Sequence, residues 1–178
     1  MNLLHEVPLG EKAPKEFNII IEIPRGSANK YEVDKATGLI KLDRVSYSAM
    51  YYPMDYGFAP QTYWYDDDAL DVLMMSTHPL FPGILVAVRA IGGFKMVDDG
   101  DQDDKIISVP VDDPRFKKYQ DLEDIQPHIK DELKHFFETY KELQKKEVKV
   151  NGFYGAKEAE ETVLKSMNLY KEKFTQGK

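Results

Sequence analysis

Short runs of branched and aromatic residues, separated by turn-forming residues, dominate the first two thirds of the chain. Phe17 to Pro24 is rich in isoleucine and predicts a strand that the proline ends. Lys30 to Asp34 and Leu39 to Val45 flank a turn and predict a hairpin. A packed aromatic loop at residues 49–60 leads to a short strand before Asp66, and further strands are predicted at 71–77, 84–91, 94–97 and 105–110.

The last third of the chain changes to a helical pattern. Apolar residues from Pro127 to Lys146 recur every three to four positions, and proline suits a first helical turn. A second helix is predicted from Ala156 to Phe174, after a short strand at 148–153. Strands followed by helices predict the α+β class: a small closed or strongly twisted β-barrel of mostly antiparallel strands, with two C-terminal helices packed on it. We expect a single domain over residues 1–178.

Composition and charge exclude several classes of protein. The chain has 178 residues, 42% of them hydrophobic, and a net charge of -7, which argues against a nucleic-acid or anionic-membrane surface. The absence of cysteine excludes disulfides, thiol catalysis and cysteine–zinc sites. No apolar run approaches the ~20 residues of a membrane span. The first residues lack the features of a signal peptide, so we expect a cytoplasmic protein.

Two groups of carboxylates stand out against this background. Asp66, Asp67, Asp68 and Asp71 lie together, and residues 98–104 form a second acidic group about thirty residues later. Each group lies beside a predicted strand, so the two loops meet if those strands are neighbours. Crowded carboxylates repel one another unless cations compensate them. The pattern therefore leaves two interpretations open: solvated acidic loops, or a site for hard divalent cations with oxygen ligands.

A helix–loop–helix calcium site does not fit either acidic group. That loop requires glycine at its sixth position and glutamate at its twelfth, and counting from Asp66 or from Asp99 finds neither. Four basic residues lie near strand ends or on a helix: Lys30, Arg44, Lys105 and Lys141. Each alone is compatible with a solvated surface charge. Together, metal ions and basic side chains are what a polyphosphate requires.

The segment Asp66-Asp-Asp-Ala-Leu-Asp-Val72 resembles the metal motif Asp-Gly-Asp-Pro-x-Asp-x of the soluble family I inorganic pyrophosphatases. Further blocks match this family in the same order and at similar spacing between about residues 17 and 153. They are Ile21-Glu-Ile-Pro24, Lys30-Tyr-Glu-Val-Asp34, Asp43-Arg44, Tyr52-Pro-x-Asp-Tyr-Gly57, Lys95-Met-x-Asp98, Asp103-Asp-Lys105 and His135-Phe-Phe-x-x-Tyr-Lys141.

The resemblance implies an OB-like barrel and a set of functional residues. The metal ligands it implies are Glu22, Asp66, Asp71, Asp98 and Asp103, and the proton acceptor is Asp68. The phosphate-binding residues it implies are Lys30, Arg44, Tyr56, Lys105, Tyr140 and Lys141. Glu32 is implied to contact these side chains rather than the phosphate itself. By their positions alone, Tyr140 and Tyr56 also suit a buried helix face and a cavity wall. Asp67 and Asp104 have no implied role and are expected to be solvated.

The same resemblance implies an enzyme of phosphate metabolism, an inorganic diphosphatase. It hydrolyses pyrophosphate to two phosphates with a hydroxide that bridges two metal ions. The resemblance further implies several Mg²⁺ ions in each active site, with Mn²⁺ or Zn²⁺ as substitutes. The implied assembly is a homo-oligomer, a homohexamer, without nucleic-acid or membrane partners. Two positions depart from the family motif: Asp67 replaces its usual glycine, and Ala69 replaces its proline.

Two rival functions are compatible with parts of the pattern. One is a small β-barrel that binds single-stranded nucleic acid or calcium, since aromatic-rich barrels do bind single strands. The acidic loops and the net charge of -7 oppose it. The other is a metal-dependent hydrolase of a different phosphoanhydride, such as a nucleotide. We find no base-stacking or ribose-binding motif that favours it.

Overall fold

The computed structural model describes residues 2–174. In chain order its main elements are β1 (Phe17–Ile23), β2 (Asn29–Val33), β3 (Ile40–Val45), β4 (Asp55–Phe58), β5 (Asp71–Met74), β6 (Leu85–Asp98), β7 (Asp101–Gln102), β8 (Lys105–Pro110), α1 (Pro127–Thr139), β9 (Val148–Gly155) and α2 (Ala156–Phe174). Short 3₁₀ helices lie at Pro114–Phe116, Leu122–Asp124 and Glu142–Gln144.

The main sheet closes on itself. β1 pairs with β4, β4 with β5, β5 with β8 and β8 with β6, and β6 returns to pair with β1. Only β5–β8 is parallel among these pairs, and β7 and β9 extend the sheet along β6. β2 and β3 form a separate two-stranded hairpin. The predicted α+β fold with a closed, OB-like sheet of mostly antiparallel strands is confirmed.

The two helices cover separate apolar clusters, as their sequence periodicity predicts. α1 lies against β9 and buries Leu133, Phe136 and Phe137 in one cluster. α2 lies against β6 and buries Ala159 and Val163 in the other. Burial of a large apolar side chain contributes about 1.5–3 kcal/mol, so these contacts hold both helices on the sheet. Neither helix, within residues 2–174, is long and apolar enough to cross a membrane.

Gly57 allows β4 to pack tightly against β1. A Cβ atom at this position would lie 1.9 Å from the carbonyl oxygen of Ile20. A side chain is therefore excluded by the neighbouring backbone rather than by the local backbone conformation. The close approach fixes the position of Tyr56, the preceding residue of β4, whose side chain lines the cavity described below.

Several predicted boundaries are wrong, and the strand predicted at 71–77 ends at Met74. The strands predicted at 84–91 and 94–97 form one continuous strand, β6. The strand expected just before Asp66 lies earlier, as β4 within the aromatic segment. The helix predicted over 127–146 ends at Thr139, and Leu143, assigned to its apolar face, is 65% exposed. The chain instead turns at Tyr140 and Lys141, both of which line the cavity.

Candidate active site

The parallel pairing of β5 and β8 brings the two acidic groups together. Asp71, the first residue of β5, lies in register with Lys105, the first residue of β8. Asp66 is in the loop before β5, and Asp103 lies two residues before β8 begins. Asp66, Asp71 and Asp103 each offer a carboxylate oxygen, and these atoms all lie within 4.8 Å of one another. The expected meeting of the two loops is therefore observed.

A cavity of about 680 Å³ opens above this cluster. All but one of the predicted site residues line it: Glu22, Lys30, Glu32, Arg44, Tyr56, Asp66, Asp68, Asp71, Asp98, Asp103, Tyr140 and Lys141. The exception is Lys105, which lies beneath the carboxylates and is only 1% exposed. Acidic residues outnumber basic residues along the lining. The cavity would therefore repel a polyanion unless cations were bound in it.

Lys105 offsets part of the negative charge of the carboxylate cluster. Its Nζ atom donates a hydrogen bond to Asp71 Oδ2 at 2.6 Å and another to Asp103 Oδ1. Burial disfavours the charged ammonium group, but the two carboxylates outweigh it and raise the pKa of Lys105. The hydroxyl of Tyr56 donates a hydrogen bond to the same Asp71 oxygen. Lys105 is thus a buried, charged partner of two of the three clustered carboxylates.

The clustered carboxylates are poorly solvated. Burial raises the pKa of Asp66 to about 8, and repulsion by Asp71 and Asp103 adds to the effect. Burial also raises the pKa of Asp71, although the Lys105 ammonium group opposes the shift. A divalent cation would remove the repulsion and allow all three groups to ionise. Oxygen ligands at this spacing fit a hard divalent metal ion.

Two further carboxylates approach the cavity from other strands. Asp98 accepts a hydrogen bond from the Lys141 ammonium group through Oδ2. Its Oδ1 atom is buried and has no hydrogen-bond partner within the part of the chain that the structure describes. Glu22 accepts a hydrogen bond from the amide of Val33 at 2.7 Å, and burial, reinforced by Asp71, raises its pKa to about 8. A nearby cation would stabilise the ionised form of both carboxylates.

The β2–β3 hairpin supplies basic side chains on one wall. Lys30 and Arg44 are paired in register across the two strands. Lys30 Nζ lies 3.3 Å from carboxylate oxygens of both Glu32 and Asp43, and Arg44 Nη1 lies 2.8 Å from Asp43. Glu32 thus contacts Lys30. The pairing holds the two cationic side chains side by side at the cavity wall.

Asp68 lies nearer the solvent than the carboxylate cluster. Its side chain is 54% exposed, and Oδ1 accepts a hydrogen bond from the amide of Ala69 at 2.9 Å. Lys35, on the hairpin turn, lies 3.3 Å from the same oxygen. Sequence reasoning missed Lys35, together with Lys41 and Lys146, which also line the cavity. No local motif marks these lysines, because only the docking of the hairpin and of the α1–β9 connection brings them to the cavity.

Tyr140 packs on a helix and also lines the cavity. Its ring lies 5.2 Å from that of Phe136 and 5.5 Å from that of Phe137, between ring centroids, so it packs on the apolar face of α1. It also lines the cavity beside Lys141. Burial raises its pKa well above that of an exposed tyrosine, so its hydroxyl stays protonated and able to donate a hydrogen bond.

The expectation that Asp104 is solvated is wrong. The residue is buried and accepts hydrogen bonds from the amide of Met96 at 3.3 Å and from the side chain of Gln102 at 3.1 Å. Burial raises its pKa. Asp67 is 83% exposed, as expected, but its carboxylate is bonded to Lys173 at 2.8 Å. Lys173 lies 106 residues from Asp67 in the chain, whereas the partners of Asp104 lie on β6 and β7, which pair with each other.

Comparisons with known proteins agree with this geometry. The family model described as inorganic pyrophosphatase matches residues 19–171. Soluble inorganic pyrophosphatase 1 of Arabidopsis thaliana is 48% identical over 168 residues, which cover 94% of this chain and 79% of that protein. The soluble inorganic pyrophosphatase of Zea mays is 48% identical over 166 residues, covering 93% and 78%.

A solved structure extends the agreement to three dimensions. The crystal structure of inorganic pyrophosphatase from Thermus thermophilus superposes with a TM-score of 0.93 at 46% identity, covering 96% of this chain and 99% of that one. The matched region contains the carboxylate cluster and the hairpin that faces it. The chain therefore belongs to the soluble family I inorganic pyrophosphatases.

Proposed function

We propose that this protein hydrolyses inorganic pyrophosphate to two phosphate ions in the cavity above the carboxylate cluster. Membership of the family supports the reaction. The observation that carries the assignment of the site is the convergence of Asp66, Asp71 and Asp103 opposite the basic wall of the cavity. This arrangement places cation ligands and anion-binding side chains around one cavity, whose size suits pyrophosphate.

Asp66, Asp71 and Asp103 would hold the first metal ion, and Asp71 would also contact the second. Asp98 and Glu22 would hold further ions, because Asp98 Oδ1 has no hydrogen-bond partner among the described residues and Glu22 is a buried carboxylate whose pKa burial raises. Mg²⁺ is the proposed ion, since small hard cations prefer carboxylate oxygens, and Mn²⁺ or Zn²⁺ are the proposed substitutes. Bound metal supplies a water of lowered pKa and offsets negative charge on the phosphates.

The basic side chains would hold the substrate. In this structure Lys105 and Lys141 are paired with carboxylates that are also proposed metal ligands. Metal ions that took over those carboxylates would leave both ammonium groups available to phosphate oxygens. Lys30 and Arg44 would bind from the β2–β3 hairpin, where their positive charge favours a polyanion. The hydroxyl of Tyr140 is a proposed hydrogen-bond donor to the same substrate. The hydroxyl of Tyr56 donates to Asp71 in this structure and would become a second donor if metal took over that carboxylate.

Asp68 is the proposed proton acceptor. Its carboxylate lies at the cavity and is free of the buried ion pairs below it. As the water oxygen forms a bond to one phosphorus, Asp68 takes the proton, and the bond from that phosphorus to the bridging oxygen breaks. The departing phosphate keeps the electron pair of that bond. Its charge is met by the nearby Lys30, Arg44 and Lys141.

The test is phosphate release from pyrophosphate and from ATP, each with Mg²⁺ and with a chelator. We expect rapid release from pyrophosphate with Mg²⁺, little release from ATP, and none with the chelator. A protein that released phosphate from ATP as fast as from pyrophosphate would instead support a general phosphoanhydride hydrolase. Release from pyrophosphate that persisted in the chelator would contradict the proposed metal site.

Two broader properties are also proposed. The first is a homo-oligomer, specifically a homohexamer, which is compatible with large exposed apolar side chains such as Leu39, Tyr47 and Phe81. Light scattering of the purified protein tests it, and a monomeric mass would contradict it. The second is a cytoplasmic location, which cell fractionation tests.

A further inference from the structure

Asp67 interrupts the metal-binding motif but faces away from it. Asp66 and Asp68 on either side line the cavity. The backbone of Asp67 has a φ of 67°, in the left-handed region that is unfavourable for most residues other than glycine. Its Oδ1 atom instead accepts hydrogen bonds from the hydroxyl of Tyr63 and, at 2.8 Å, from the ammonium group of Lys173 on α2.

The second half of α2 contacts residues 63–67, the segment that leads into the acidic loop. The amide of Tyr63 donates a hydrogen bond to the carbonyl of Ser166 at 3.1 Å. Lys165 Nζ lies 5.4 Å from the ring centroid of Trp64, and Lys173 Nζ lies 3.8 Å from that of Tyr63. Cations at such distances from aromatic rings are attracted to them. α2 therefore supports residues 63–67 through backbone, ring and charge contacts.

We infer that Asp67, Tyr63 and Lys173 form a tether that fixes the backbone between the two loop carboxylates, which makes Asp67 a positioning residue for metal binding. The inference rests on the proposed function, in which Asp66 is a metal ligand. A loop that is already ordered loses less conformational entropy when its side chains bind an ion. The tether thus favours the arrangement in which Asp66 lies near Asp71 and Asp103.

If Lys173 acted through its charge alone, the predicted change in metal affinity would have the opposite sign. One variant therefore distinguishes the two explanations. Lys173→Met removes a positive charge near the acidic loop. If Lys173 acted only through its charge, its removal would strengthen the binding of a divalent cation. If it acts through the tether, its removal weakens that binding. Contacts between exposed charges change equilibria by less than about fivefold, so we expect metal affinity to fall about two- to fivefold.

The experiment is calorimetric titration of the full chain with Mn²⁺ in the absence of substrate. The variants are Lys173→Met, Asp67→Asn and the double variant, with Lys173→Arg as the conservative replacement. Asparagine tolerates the left-handed conformation, so Asp67→Asn alters the tether without backbone strain. Lys157→Met is the matched control: it makes the same change on the exposed first turn of α2, about 24 Å along the helix axis from Lys173.

We expect weaker binding in both single variants, no additional loss in the double variant, and wild-type affinity in Lys173→Arg and Lys157→Met. Unchanged or tighter binding by Lys173→Met would overturn the inference, as would fully additive losses in the double variant. Phosphate release by the wild-type protein is measured separately. A failure of the tether is thereby distinguished from a failure of the proposed function, since the titration requires no turnover.

Discussion

The stability of the metal-free protein should fall as the pH rises from about 4 to about 8. Burial, with repulsion from Asp71, raises the pKa of both Asp66 and Glu22 to about 8 in the folded state. An unfolded chain has ordinary values near 4 for such groups. The folded state therefore retains protons that the unfolded state has already released. The free energy of unfolding declines through this window and levels off above the folded-state pKa.

Metal ions should reverse this loss. A ligand that binds only the folded state, present at ~100 times its dissociation constant, adds about 2.7 kcal/mol. For a domain of this size each kcal/mol corresponds to a shift of about 2–4 °C in Tm, so the expected increase is about 5–10 °C. The increase should be larger at pH 8 than at pH 6, because protons compete with metal for the same carboxylates.

Asp71→Asn tests whether the carboxylate cluster is responsible. Asp71 contacts Lys105 and Tyr56 and is the proposed shared ligand. The matched control is Asp112→Asn, which makes the same substitution at an exposed turn. The assay is a melting curve for each variant with Mg²⁺ and with a chelator at pH 6 and pH 8. We expect Asp71→Asn to lose most of the magnesium-induced increase and Asp112→Asn to retain it.

Two results would refute this reasoning. Equal magnesium-induced increases in Tm in the two variants would show that Asp71 is not a metal ligand. A metal-free wild-type protein whose Tm rose between pH 5 and pH 8 would show that the buried carboxylates do not hold the protons inferred from their surroundings.

Three other substitutions test the proton acceptor, the buried ion pairs and the strand packing separately. Asp68→Asn should lower kcat by about 10²–10⁴-fold while keeping the magnesium-induced Tm shift; an unchanged kcat at saturating Mg²⁺ would exclude Asp68 as the proton acceptor. Lys105→Met should destabilise the metal-free protein by about 3–5 kcal/mol in a denaturant titration, since it leaves the largely buried Asp71 and Asp103 without their cation; saturating Mg²⁺ should restore part of the loss, and equal losses with and without Mg²⁺ would argue against metal binding by these two carboxylates. Gly57→Ala should disrupt folding as seen by circular dichroism, because the new Cβ meets the carbonyl of Ile20; a native spectrum and Tm would contradict this packing.

The sequence alone determined the family, the order of the motifs and much of the secondary structure. β1 and β8 lie where branched residues predict them, and α2 spans Ala156–Phe174 as its apolar spacing predicts. These elements are set by local features: β-branched runs, proline and glycine positions, and helical periodicity. The meeting of the two acidic loops could also be anticipated, because each lies beside a strand.

Only the tertiary structure decided how those features combine. The parallel register of β5 and β8 sets Asp71 beside Lys105, and the closing of the ring through β6 and β1 is likewise a long-range pairing. The contact of Asp67 with α2 depends on a segment that is distant in the sequence. The burial of Asp104 depends on a local fold that composition does not reveal. The presence of an aspartate in a sequence does not show whether its side chain is solvated or buried. Its environment is fixed by the backbone and side chains that packing brings around it, and that environment sets its charge and its partners.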